Sequence, residues 1–375
     1  MRIATDFEGA RIDVVSAESP SDIRLAVPAD PKHPKFRQWF AFAVEDASEQ
    51  PLTVILENAG NCTWPRAWTG YQVCASHDGL SWSRVPTTYV DGVLRFTDTP
   101  RGPRTYYAYY APYSNARITA LVTRAQAGGA RTRTLVHTPG GHDLSLVELG
   151  SADTSSPAFW IVAQQHPGEH MAGYWVEGFV AELLSGGADA RKLLAAASIA
   201  LVPRMNPDGV AIGAHRTNAA GLDLNRQWLA PDAHAPEVAA VRAAMQERGC
   251  AFFLDVHGDE ALPYVFVQGA DGVTMRTPHS GELEVAFTTA LCAESPDFQT
   301  EHGYPKDAPG KANLRIASNW AADVFDALAF TLEMPFSDNA NAPDAQLGWS
   351  PDRCRALGAA LVPTLVRMLP KLGGR

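Results

Sequence analysis

The sequence predicts an α/β domain with a mostly parallel or mixed sheet, preceded by an all-β sandwich. Three observations carry this expectation. Strand-length apolar runs separated by Gly, Pro, Asn and Asp fill the chain up to about Asn115, with no helical period among them. Beyond that point, strand-like runs alternate with apolar residues at helical spacing, the rhythm of strand–helix–strand units. A length of 375 residues, 46% hydrophobic and 19% charged, suits two or three domains around a large core.

Taken in order, residues 39–44, 52–56, 71–74, 93–96 and 106–110 are the strands of the first part, and their short spacing suits antiparallel neighbours in a sandwich. The boundary is expected between Pro112 and Leu135, dividing the chain into residues 1–120 and 121–375. Residues 159–163 read as a buried strand, followed by Met171, Trp175, Val176, Phe179, Val180 and Leu183 at helical spacing. Segments 199–202, 252–256, 264–267 and 328–332 supply further strands, and 236–247, 281–293 and 357–369 read as helices. There is no internal repeat. Trp64, Trp68 and Trp82 are expected in the core of the first domain rather than on a recognition surface.

A formal net charge of −10 offers no basic footprint for nucleic acid or an anionic membrane. No apolar run approaches the ~18–20 residues of a membrane span, and the first residues lack the apolar core of a signal peptide, so a cytoplasmic protein is expected. Cys62, Cys74, Cys250, Cys292 and Cys354 are scattered, without paired CxxC spacing, which suits reduced buried thiols and leaves metal binding to His and Glu.

Three segments carry chemistry: His166-Pro-Gly-Glu169, Asp223-Leu-Asn225-Arg226 and Asp255-Val-His257, with Glu333 much later. His166 and Glu169 follow a strand, where the active sites of open α/β sheets collect, and His257 ends another strand. The three fill three corners of a tetrahedral zinc site, one zinc per chain, with the fourth open for water. Gly168 permits a tight turn between the first two ligands. For either histidine alone, a cap or a satisfied structural histidine competes; Asp223-Leu-Asn-Arg226 alone could be a polar turn. Glu333 ends an apolar run, a costly place for a carboxylate unless it is paired or catalytic, which makes it the candidate general base. Asp259-Glu260 beside His257 reads as a solvated turn.

Together with Asn206-Pro-Asp-Gly209, Arg216, Gly221-Leu-Asp-Leu-Asn-Arg226 and Thr331-Leu-Glu333, these segments resemble the zinc metallocarboxypeptidases, and especially their cytosolic carboxypeptidase subgroup, which carries an extra β-rich domain before the catalytic one. The resemblance is strongest from about Pro157 to Phe336. It implies a mixed, eight-stranded-type sheet flanked by helices. It also implies that Asp223 supports His166, that Asn225 and Arg226 receive the substrate's terminal carboxylate, and that Arg216 supports the oxyanion. Arg204, a nearby competitor, reads as a surface or structural ion-pair residue. The family's mobile tyrosine has no clear counterpart; Tyr304 lies far upstream of Glu333 and reads as part of a plain turn.

The implied activity is hydrolysis of the last peptide bond of peptides or protein tails. Lys311 and Arg315 occupy the stretch in which the subgroup keeps a basic residue for acidic last side chains, and Arg315 is the candidate, against a solvated loop arginine. Two other functions stay open. Related acylases that release an acyl group from N-acyl amino acids use a similar His, Glu, His trio, and a non-catalytic peptide-binding relative would keep the fold without a complete site.

Overall fold

The computed structural model describes residues 1–274 and 276–372. The first part contains β1 (Arg2–Ala4), β2 (Asp13–Ser19), β3 (Asp22–Ala26), β4 (Ala41–Glu45), β5 (Leu52–Leu56), β6 (Val73–Ser76), β7 (Ser83–Val85), β8 (Thr87–Val90), β9 (Val93–Asp98) and β10 (Arg104–Ala108). They form two five-stranded sheets, β1-β4-β10-β6-β7 and β2-β3-β5-β9-β8. Every pairing is antiparallel except β3 with β5. Trp68, Tyr71 and Tyr109 pack mutually between the sheets, with ring centroids 5.1–5.3 Å apart. The expected 52–56 strand is β5, whereas β2 escapes a sequence reading because it is an edge strand with no buried residue and so carries no alternation.

The second part opens with α1 (Asn115–Ala127), whose first turn is closed by Ser114 accepting from Arg117 N at 3.2 Å. It continues with β11 (Arg131–His137), β12 (Asp143–Gly150), β13 (Ala158–Ala163), α2 (Met171–Leu183), α3 (Ala188–Ala196), β14 (Ser198–Val202), α4 (Pro207–Ala211) and α5 (Pro236–Arg248). After these come β15 (Phe252–Asp259), β16 (Phe266–Gly269), α6 (Pro278–Glu294), α7 (Ala317–Phe325), β17 (Leu328–Pro335) and α8 (Pro351–Leu372).

The sheet order is β11-β12-β14-β13-β15-β17-β16, with β14, β13, β15 and β17 mutually parallel. Those four strands are buried along their whole length, which is why their sequences are continuous apolar runs rather than alternations. Successive residues of β13 serve opposite faces. Phe159 and Ile161 pack with α2, α6 and α8, while Trp160 and Val162 pack with α5 and α7. Gly178 and Gly358 let α2 and α8 touch, since a Cβ at either would sit 2.0 Å from a carbonyl oxygen of the other helix. Seven strands are present among the described residues instead of the eight-stranded type. The eighth place is a single bridge, Val265 to Phe298, cut short where the Gln299 side chain accepts from Glu301 N and His302 N and turns the chain away.

The sandwich core and one face of this sheet form one continuous apolar cluster. Trp39 lies against His170 with tilted rings 4.5 Å apart, Tyr109 stacks on Phe336 at 4.5 Å, and Arg84 donates to the carbonyls of Phe336 and Ser337. No helix among the described residues is long and apolar enough to cross a membrane.

Candidate active site

The carboxyl ends of β13, β15 and β17 converge on one point. At the end of β13, Gln164 adopts φ 56°, an unfavourable conformation for a residue with a side chain, and this kink turns the chain into the loop that carries His166 and Glu169. Its side chain secures the turn: Nε2 donates to Pro167 O at 2.8 Å and Oε1 accepts from Arg204 Nε at 2.9 Å. Gly168 is required for a different reason from the expected one. Its φ is not positive, but a Cβ there would lie 2.5 Å from His215 Nδ1. The neighbouring pair β15 and β17 run in register, with His257 directly opposite Glu333, so both side chains leave the sheet at the same level.

The donor atoms of His166, Glu169 and His257 lie within 4.8 Å of one another, and all three residues are buried. Each histidine turns Nδ1 inward: His166 Nδ1 is 2.7 Å from Glu169 Oε1, and His257 Nδ1 is 2.8 Å from Glu169 Oε2. Each also offers Nε2 to a carboxylate behind it, Asp223 at 3.1 Å for His166 and Asp255 at 2.7 Å for His257. Two imidazoles and a carboxylate, with both outer nitrogens held by acids, match what zinc asks of a protein. The sequence motif contained Asp255 but assigned it no role; its signal was the two-residue step to His257, which puts both side chains on one face of β15.

Asp223 is shared. Its second oxygen accepts from Arg216 Nε at 2.9 Å, so one carboxylate orients both His166 and Arg216. Asn225 reaches His257 Nε2 with its amide nitrogen at 3.3 Å, while its carbonyl oxygen accepts from Ala317 N at 2.9 Å. Arg226 donates to Asn225 O at 2.7 Å. Glu169, Arg216, Asn225, Arg226, His257 and Glu333 all line one cavity of about 330 Å³.

Three readings need correction. Arg315 is exposed, outside the cavity lining, and donates to Arg226 O at 3.0 Å. It lies two residues before α7, whereas Ile316, Ser318 and Asn319 just after it do line the cavity. Arg204 is not on the surface and has no ion pair among the described residues; it is buried and donates to three neutral oxygens, on Gln164, Asn115 and Tyr113. Asp259-Glu260 is not a solvated turn, because Asp259 completes β15 and is buried, and Glu260 meets His215 Nε2 at 2.7 Å. Tyr304 also lines the cavity, with its hydroxyl bonded to Asp259 and 3.3 Å from Glu333 Oε1.

The cytosolic carboxypeptidase N-terminal domain profile matches residues 3–110, and the zinc carboxypeptidase profile matches residues 120–348. The chain belongs to the zinc carboxypeptidase family. This carboxypeptidase is similar to a metallo-carboxypeptidase of Burkholderia cenocepacia, at 42% identity and TM-score 0.95, with 99% of each chain covered. It is equally similar to a Pseudomonas aeruginosa metallo-carboxypeptidase solved with (2-guanidinoethylmercapto)succinic acid, at 41% identity and TM-score 0.95 over 99% of this chain and 100% of that one. An uncharacterised Zymomonas mobilis protein is 38% identical over 99% of this chain and 97% of its own.

The electrostatics of the carboxypeptidase site set its carboxylates apart. Burial opposes the charge on Glu169 and Asp223, but the facing histidines, and Arg216 for Asp223, overcome it and hold both acids well below their ordinary range. Glu333 goes the other way: burial pushes it well above the ordinary value, and the nearby charges of Glu169, Asp259 and Glu260 add to that despite His257. Its Oε2 is buried and has no hydrogen-bond partner among the described residues. Burial also works against charge on Arg216, yet Asp223, Glu260 and Glu169 keep it firmly protonated.

Proposed function

We propose that this metallocarboxypeptidase removes single residues from the C-termini of peptides and protein tails, with one zinc held by His166, Glu169 and His257 and with Glu333 as the base. The observation that carries this reading is the pairing of His257 with Glu333 across β15 and β17, which sets an unpartnered carboxylate oxygen beside the ligand cluster in the cavity that also holds Arg216 and Arg226. Zinc bound by these residues would acidify a water and polarise the scissile carbonyl. Glu333 takes the proton of the attacking water and delivers it to the departing amine; its raised affinity for a proton suits a group that must hold one between the two transfers. Arg216, fixed through Nε by Asp223, has its remaining N–H groups free for the oxygen that gains charge. Arg226 and Asn225 anchor the terminal carboxylate, which selects a chain end over an internal bond. The Pseudomonas relative was solved with a succinic acid that carries a guanidinoethylmercapto arm, a dicarboxylic acid in keeping with such an anchor. Tyr304, half-exposed and bonded to Asp259 at the rim, is the side chain we assign to close over a bound chain end.

An acidic last residue is the finer expectation, but Arg315 does not support it. With Arg226 on the carboxylate and Arg216 on the reacting carbonyl, the rest of the lining offers uncharged Gln268, Ser318, Asn319 and Thr331 alongside the acids Glu260 and Asp307. A neutral last side chain fits this lining better. We move the division from residues 120/121 to just before α1, which that cut would split, and keep a cytoplasmic location; among the described residues all five cysteines are free, although Cys292 is exposed rather than buried.

The test is zinc content together with release of amino acids from blocked peptides that differ only in the last residue, run beside N-acyl amino acids. Zinc near one per chain and release of single neutral C-terminal residues is the expected result. Cleavage of N-acyl amino acids alone would replace the peptidase reading with the acylase one, and bound peptide without cleavage would indicate a binding relative.

A further inference from the structure

The arginine assigned to the oxyanion is held in place largely by residues from the other domain. Asp30, in the turn between β3 and β4, is buried and points its carboxylate into the loop at residues 215–217. It accepts from His215 N at 2.6 Å, Arg216 N at 2.8 Å, Thr217 N at 2.9 Å and Thr217 Oγ1 at 3.1 Å. Three consecutive backbone N–H groups and a hydroxyl therefore converge on one carboxylate, an anchoring that fixes the Cα of Arg216 more firmly than packing alone. The turn is itself rigid: Asp30 N donates to Phe36 O at 2.7 Å, and His33 N to Asp30 O at 3.1 Å. It also brings up Phe36, whose ring stacks on Trp64 and lies 5.6 Å from the Arg216 guanidinium, while Trp64 lies 5.5 Å from it. Two aromatic rings beside a cation stabilise its charge and limit its rotamers.

We propose that Asp30 is a positioning residue for Arg216, assisted by Phe36 and Trp64, and that through it the β-sandwich is a working part of the active site rather than an appended module. This rests on the assignment of Arg216 to the reacting carbonyl. In this arrangement the catalytic half supplies Asp223 to fix one edge of the guanidinium, and the sandwich supplies the anchor beneath its backbone and the rings beside it. The contribution is to the transition state, because Arg216 must reach an oxygen that moves as the carbonyl becomes tetrahedral. A misplacement of about 1 Å at such a group lowers rate far more than it weakens substrate binding.

The test is a double-mutant cycle in the full-length zinc enzyme, measuring kcat and KM on its best blocked peptide. Asp30→Asn turns one acceptor of the cluster into a donor. It is expected to lower kcat by roughly tenfold or more with KM changed by less than about threefold. In an Arg216→Ala background the same substitution should change kcat by less than about twofold, because the group it positions is gone. An equal loss in both backgrounds, or a loss confined to KM, overturns the proposal. Wild-type kcat in Arg216→Ala alone overturns it together with the role of Arg216, so the two failures are distinguishable. If Asp30→Asn does not fold, Trp64→Leu goes through the same cycle, with coupling to Arg216 expected and additivity overturning the proposal.

Discussion

The carboxyl edge of the parallel sheet and the β-sandwich treat charge in opposite ways. At the sheet edge Glu169, Asp255, His257 and Glu333 are all buried, and Asp255 Oδ1 and Glu333 Oε2 have no partner among the described residues. In the sandwich the ion pairs are more open to solvent, Arg24 with Asp22 and Glu57, Arg104 with Asp6 and Glu45, around an aromatic interior. The first arrangement costs folding free energy and keeps reactive groups poised; the second adds little stability and keeps the domain folded by apolar burial. The exception is Asp30, a buried acid in the sandwich whose carboxylate accepts from the other half. This buried carboxylate serves the site from across the domain boundary.

The comparison can be tested by exchanging a reactive acid for its amide. Glu333→Gln should cut kcat by about a thousandfold while zinc content, measured by atomic emission, stays at the wild-type level. Near-normal turnover in this variant would mean that the orphaned oxygen is a structural defect and not the base. The apolar half is probed by Trp39→Ala, which removes a fully buried ring packed against His170 and should cost about 3–5 kcal/mol in denaturant unfolding, with both halves melting together because they share one core. Two separate transitions would show that the halves fold independently.

Glu237 is a buried acid away from the sheet edge and serves as a control. Burial, with a smaller contribution from Asp208, raises its carboxyl from an ordinary 4.5 to about 7. The folded protein therefore keeps a proton that the unfolded chain releases. The resulting stability is fully present below about pH 4.5 and is lost as pH rises through about 7, an effect on the order of 3 kcal/mol. Glu237→Gln should be more stable relative to wild type at pH 8 than at pH 5, with kcat unchanged; equal differences at both pH values would count against the shift. The smallest expected effect is at the anchor. Arg226→Gln should raise KM by roughly tenfold to a hundredfold through loss of about 1.5–3 kcal/mol of charge-assisted hydrogen bonding, with kcat within a few-fold. A fall in kcat alone would move Arg226 from the carboxylate to the reacting centre.

How legible each part was follows from the range of the forces involved. Strands β13, β15 and β17 were readable because burial on both faces turns them into unbroken apolar runs, and His166, Glu169, His257 and Glu333 stood out because they lie at or just beyond the ends of those runs. β2 was not, since an exposed edge strand has no pattern to detect. Arg315 illustrates the limit at the site: it lies one residue from Ile316 in sequence, yet the start of α7 puts the two on different sides of the cavity wall. Glu260 and Arg204 were misjudged because their partners, His215 for one and Gln164, Asn115 and Tyr113 for the other, come from distant parts of the chain.

By itself the sequence determined the two-part architecture and singled out His166, Glu169, His257, Glu333, Asn225 and Arg226, since each depends on residue type at a local spacing. Only the tertiary structure decided that Asp255 pairs with His257, that Arg315 lies outside the cavity lining, that Tyr304 belongs to it, and that Asp30 reaches across to hold the Arg216 loop. Those outcomes depend on strand register and domain packing, where contacts between residues up to 187 positions apart are fixed by the burial of surfaces that no local pattern records.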